Sequence, residues 1–130
     1  MEKIMETRNA NTRSFALIGA LCLVACAGCG SSQMCTGEMT VAGQTYQGSS
    51  EYAEQAIENT CNKYCVEGDP AFDSMYREWL QTPAGKKIDK PGKWWAMAED
   101  NVLANQVAGC TANCMQRYRA GEQLIGVECK

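Results

Sequence analysis

Apolar positions recur along this chain with a period that changes from segment to segment, and each change marks a different element. Residues 15–25 form one uncharged apolar run. That run has the length of a secretory h-region and is too short to span a bilayer as a helix. Residues 38–41 and 44–47 flank Ala42-Gly43 and alternate modestly, with Val41, Thr45 and Tyr46 as strand formers, which predicts a hairpin. A 3.6-residue period then takes over. Ala53, Ala56, Ile57, Cys61, Tyr64 and Cys65 make one helical stripe, with Ser49 or Ser50 as its cap, Glu51 and Glu54 near its positive end and a stop near Gly68. Asp69 and Pro70 start a second helix as N-cap and first-turn residue, and Phe72, Met75, Tyr76, Trp79 and Leu80 supply its apolar face. Residues 81–93 are rich in turn formers without a period and read as a loop. A third helix is expected from Trp94 or Trp95 to about residue 120, with Leu103, Val107, Cys110, Cys114 and Tyr118 on one stripe and Gly121 as its stop. Leu124, Ile125 and Val127 then predict a last strand that joins the hairpin. The expected fold class is α+β: a small disulfide-stapled three-helix domain with a short antiparallel sheet.

The N-terminus changes what the rest of the chain is taken to be. Before the apolar run, Lys3, Arg8 and Arg13 outweigh Glu2 and Glu6, and a start at Met1 or at Met5 leaves a small positive excess. This is the pattern of an export signal. At its end, Leu23-Val24-Ala25-Cys26 resembles the lipobox of bacterial lipoproteins, with Leu three residues before a cysteine and small residues between. Cys22 and Cys29 lack that pattern, because residue 19 is Gly and residue 26 is Cys. The resemblance implies that the Cys26 thiol receives a diacylglycerol and that cleavage leaves Cys26 as an acylated N-terminus. One acyl chain holds a protein marginally, but at about 0.8 kcal/mol per buried CH₂ two or three chains hold it stably. Ala27, rather than Asp, after the cysteine implies the outer membrane, with the domain facing the periplasm or the cell surface. The alternative is an ordinary signal peptide cut near Ala25 or Gly28.

Three parts follow: a lipoprotein signal peptide at residues 1–25, the lipidated cysteine and a flexible tether at 26–34, and one cysteine-rich globular domain at 35–130. Of 12 basic and 15 acidic residues, three and two precede Cys26, so nine face 13 in the mature chain. A net charge near −4 argues against a nucleic-acid binder. With no second long apolar segment, the lipid is the expected membrane attachment.

Nine cysteines are reduced to seven once Cys22 leaves and Cys26 is acylated. In an exported protein that density predicts disulfides. The odd one is assigned to Cys29, in the Gly- and Ser-rich tether. Cys61 and Cys65, and again Cys110 and Cys114, are four residues apart, so each pair lies on one helix face about 6 Å apart. Antiparallel helices would pair Cys61 with Cys114 and Cys65 with Cys110; parallel helices would pair Cys61 with Cys110. Cys35 and Cys129 remain, and a bridge between them would join the first strand to the last. The twin spacing is similar to the stapled helical hairpins of small mitochondrial import chaperones and plant hairpin-type antimicrobial peptides. There a short loop joins the pairs, whereas here 44 residues intervene, so the geometry alone is implied. The competing use of such pairs is a tetrahedral structural zinc site.

No residue pattern dictates an activity. Lys86, Lys87, Lys90 and Lys93 beside Trp94 and Trp95 form a candidate binding loop for an anionic glycan, a lipid head group or a single nucleic-acid strand; an envelope protein or anionic glycan is the expected partner, and nucleic acid is not. The plainer reading is a solvated loop followed by two tryptophans that anchor a helix on the core. Arg117 and Arg119 suit the negative end of the third helix. The absence of histidine removes the commonest general base, and no catalytic, metal or cofactor set is assigned. The expected role is a lipid-anchored envelope binding or structural module rather than an enzyme. The alternatives are a small glycan- or peptidoglycan-cleaving hydrolase working through Asp and Glu, and a zinc module.

Overall fold

Ala42 and Gly43 both take left-handed backbone, φ 50° and 80°, the geometry that closes a two-residue hairpin. The computed structural model describes residues 33–130. The expected signal peptide, the acylation site Cys26, Cys29 and most of the tether lie outside the described residues. The hairpin joins β1 (Cys35–Val41) to β2 (Gln44–Ser50), each longer than the sequence suggests, and β3 (Gly126–Cys129) pairs antiparallel with the other side of β1. The sheet order is β2-β1-β3. Cys35, Gly37, Met39, Tyr46 and Gly48 point inward and are buried, while Glu38, Thr40, Thr45, Gln47 and Ser49 are exposed on the outer face. That alternation is the period-2 signature of a sheet covered on one side.

What covers it is α1 (Ala53–Glu67), the central element of the domain. The opposed pair Gly37 and Gly48 leaves a flat patch on the sheet, against which α1 lies at Ala56, Asn59 and Thr60. Thr60 is fully buried, and its hydroxyl is satisfied by donation to the Ala56 carbonyl at 2.8 Å. The helix starts later than its serines imply: its N-cap is Tyr52, and Ser50 accepts the Tyr52 N–H at 3.3 Å just outside it. Ala53, expected on the buried stripe, is exposed.

On the far side of α1 stand the other helices, and here the three-helix expectation is corrected: the domain has five. After α2 (Pro70–Trp79), capped by Asp69 as expected, the supposed loop contains α3 (Pro83–Lys86). Thr82 accepts the Gly85 N–H at 3.2 Å and Pro83 occupies the first turn, so a short helix forms where turn residues suggested none. The expected long third helix is two helices, α4 (Lys93–Glu99) and α5 (Asn101–Arg119). Asp100 divides them. It sits in extended backbone and its carboxylate accepts the N–H groups of Val102 and Leu103 at 2.9 and 3.0 Å. A side chain that caps a new helix competes with continuation of the old one.

Two clusters make the core. Val66, Phe72, Trp79, Ala96, Leu103 and Val107 pack between α1 and the other helices. Met39, Ile57, Met115 and Ile125 pack between the sheet, α1 and the end of α5. Between them run two disulfides, Cys61–Cys114 and Cys65–Cys110, which make α1 and α5 antiparallel. Cys35–Cys129 ties the first strand to the last, and Met34 and Lys130 exchange both backbone hydrogen bonds beside it, at 2.8 and 2.9 Å. Among the described residues no helix is long and apolar enough to cross a membrane.

Candidate functional site

The chain enters the domain at Cys35, beside Ser50 and the start of α1. Since α1 is about 22 Å long, its C-terminal end at Glu67 is remote from that point. Trp94 of the basic-aromatic segment meets this remote end at Glu67, and the structure divides the segment's six residues. Lys93 is withdrawn from the surface role: its ammonium pairs with Asp73 at 2.8 Å and lies 5.9 Å from the Tyr76 ring centroid. Trp94 donates its indole N–H to Glu67 at 3.1 Å yet remains 43% exposed, and Trp95 is 48% exposed. Neither tryptophan anchors the core; fully buried Ala96 holds α4 there, with Met97 beside it. Lys86, Lys87 and Lys90 are exposed.

The segment is held in place from several points. Tyr76 donates to the Pro91 carbonyl at 2.6 Å, and Asp73 binds Lys93 and also its i,i+4 neighbour Arg77 at 2.8 Å. The Lys93 hydrogen bond and charge, with help from Arg77, hold the Asp73 carboxyl below its ordinary range, outweighing the effect of partial burial. A carboxyl so depressed contributes stability above its ordinary pKa and loses it as pH falls through the lowered value. Asp73→Asn is therefore expected to lower the melting temperature at neutral pH. The gap to the wild type should close as pH drops below the ordinary value of 3.8, as thermal melts of both proteins across that range will show. A gap that persists in strong acid would mean the residue acts through packing instead.

The downward shift of Asp73 is opposite to what a general acid needs. Among the described residues no carboxylate is buried. Glu38 and Glu128 do share the outer face of adjacent strands, in a concavity of about 570 Å³. Both are already engaged, Glu38 by the Gln47 amide at 2.7 Å and Glu128 by Lys130 at 3.4 Å. No group of three or more metal-ligating side chains occurs among the described residues, and the four sulfurs of the paired cysteines are consumed in disulfides. Arg119 reaches across to Glu54, and Arg117 stands 3.8 Å from Glu122.

A second concavity, of about 420 Å³, was not legible in the sequence. It runs along α5 beside the two disulfides, walled by the end of β1 at Val41 and the start of α2 at Ala71. Gln106, Asn113 and Arg117 line it from α5, at spacings of seven and four that keep them on one face. Tyr64, Asp69 and Gln123 face them. Tyr64 packs edge-on against Tyr46, ring centroids 5.3 Å apart. Its phenol is pushed up in pKa, first by burial and then by Asp69 and Tyr46, against a smaller opposing pull from Arg117. It therefore remains a hydrogen-bond donor at physiological pH.

The chain matches no protein-family model, no curated protein and no solved structure. Its function is read from its own residues.

Proposed function

We propose that this protein is an exported, lipid-anchored module of the bacterial cell envelope that holds a partner protein or glycan near the membrane. The observation that carries the reading is the oxidised framework. All six cysteines among the described residues are in disulfides, a density typical of oxidising compartments. The export-signal pattern and Leu23-Val24-Ala25-Cys26 supply a matching route and an anchor. In this reading Cys26 carries the acyl chains, Ala27 directs the protein to the outer membrane, and the intervening residues reach at most about 30 Å to Cys35. Trp94, held at Glu67, and its neighbour Trp95 then lie toward the end of α1 remote from the attachment point, with exposed Lys86, Lys87 and Lys90 on the segment leading to them, where an envelope partner meets them before a lipid head group does.

Produced in a bacterium with its own leader, the protein is expected in the membrane fraction, with an N-terminal peptide that begins at an acylated Cys26. Cys26→Ser should release the domain into the soluble envelope fraction. An unacylated N-terminus elsewhere, with the wild type already soluble, overturns the anchor.

A further inference from the structure

The groove along α5 has a composition that selects a ligand chemistry. From Gln106 to Arg117 it follows twelve residues of one helix, about 16 Å of axis, so it suits an extended chain of two or three units rather than a compact molecule. Its volume of about 420 Å³ lies within the range of ligand sites. Among the described residues the carboxamides of Gln106 and Asn113 have no hydrogen-bond partner, and Gln123 makes a single long contact of 3.4 Å to the neighbouring Leu124 carbonyl. Each carboxamide offers two donors and an acceptor. Tyr64 adds a hydroxyl donor and a ring, and Arg117, half-exposed and only loosely paired, adds a fork of donors. Arg117 and Asp69 offset each other in charge, so the groove favours a neutral ligand over a polyanion.

We propose that this groove binds a neutral oligosaccharide bearing acetamido groups, the three side-chain amides pairing with its N-acetyl and hydroxyl groups and the Tyr64 ring covering an apolar sugar face. An acetamido group carries one N–H donor and one carbonyl acceptor, the complement of a carboxamide. A peptide fits less well. β3 leaves the edge of β1 unpaired for only three residues, Met39 to Val41, which is short for β-augmentation, and Val41 and Ala71 offer little apolar surface for side chains. The proposal rests on the binding-module reading for the setting in which the ligand is met, but its chemistry is independent of Cys26.

The test titrates the full exported protein, purified as the cell makes it, with chitotetraose, maltotetraose and tetra-alanine, followed by calorimetry or NMR. Chitotetraose is expected to bind in the millimolar range or tighter. Gln106→Leu combined with Asn113→Leu, which removes two amides and keeps their bulk, should weaken it by roughly tenfold or more. Arg119→Ala, on the same helix outside the groove, should leave it unchanged. The proposal is overturned if chitotetraose fails to bind, if maltotetraose or tetra-alanine binds as well or better, or if the folded double variant binds like the wild type. Because acylation of Cys26 is read separately by mass, a failure here is distinct from a failure of the anchor.

Discussion

Replacing all four cysteines of the ladder by alanine is expected to abolish cooperative folding, whereas removing either rung alone leaves a folded but weaker domain. Cys61–Cys114 spans 53 residues and Cys65–Cys110 spans 45. By the chain-entropy relation, either bridge acting alone constrains the unfolded chain by about 4 kcal/mol. Once one rung is in place, the other closes a ring of roughly nine residues and adds about 2.5 kcal/mol. The two rungs therefore substitute for each other, and the first loss costs less than the second. Losing both, with Cys35–Cys129 retained, costs about 6 kcal/mol. A domain of this size has roughly 5–15 kcal/mol in hand. The entropic loss is aggravated by packing, because Cys61 and Cys65 are fully buried and Cys114 is 7% exposed, so their truncation also leaves voids in both core clusters. Thermal melts followed by circular dichroism should show each single-rung variant melting some 10–20 °C lower and the quadruple variant without a sigmoidal transition. A quadruple variant that melts within a few degrees of the single-rung variants would show that the sheet and helices fold without their staples.

The ladder also shows what kind of information the sequence carried. A spacing of four on a helix is local, so the faces of Cys61, Cys65, Cys110 and Cys114 could be read from the chain. Their partners could not, because 44 intervening residues leave the direction of the second helix open. The same division holds elsewhere. Ala42-Gly43, the stop near Gly68, and the Asp69-Pro70 start are dictated by residues next to one another, and the structure has a turn or terminus at each. Asp100 and Thr82 carry equally local cap chemistry. Neither stands out in the chain, because Asp100 sits in an otherwise helical pattern beside Glu99, and Thr82 opens a segment dominated by Pro, Gly and Lys. The basic-aromatic segment exposes the limit for sites: charge and aromaticity are visible in sequence, but the ion pair that removes Lys93 from the surface comes from Asp73 on a different helix. The groove draws Tyr64, Asp69, Asn113 and Gln123 from four separate stretches. Its one sequence trace is the polar row Gln106, Asn113, Arg117 bordering the cysteine stripe, which reads as an ordinary solvated helix edge until the opposing wall is in place.

Gly48→Ala is expected to harm this fold severely for the single methyl group it adds. Gly48 lies directly opposite Gly37 on the inner face of the sheet, and the two together admit the backbone of α1 closer than any side chain would allow. A methyl group at Gly48 would collide with the Thr60 nitrogen and with Asn59, which are main-chain and near-main-chain atoms with no rotamer to move to. At Gly37 the nearest clash is with the Thr60 hydroxyl, 2.5 Å away, followed by the Ala56 carbonyl to which that hydroxyl is bonded. Relief at either position requires α1 to lift from the sheet, and α1 cannot lift freely because its other face is fastened to α5 through both disulfides. The strain therefore passes to the β1–β2 pairing. Overpacking of this kind typically costs 1–3 kcal/mol, and Gly48→Ala should fall at or above the upper end, with Gly37→Ala below it because a side chain is the first atom met there. Thr60→Ala supplies the discriminating comparison. In the Gly37→Ala background it removes the clashing hydroxyl and should restore part of the loss, whereas in the Gly48→Ala background the clash is with backbone and it should restore none. Equal rescue in both, measured by denaturant unfolding, would mean that the helix-to-sheet distance is set by the Thr60 side chain and not by the glycine pair.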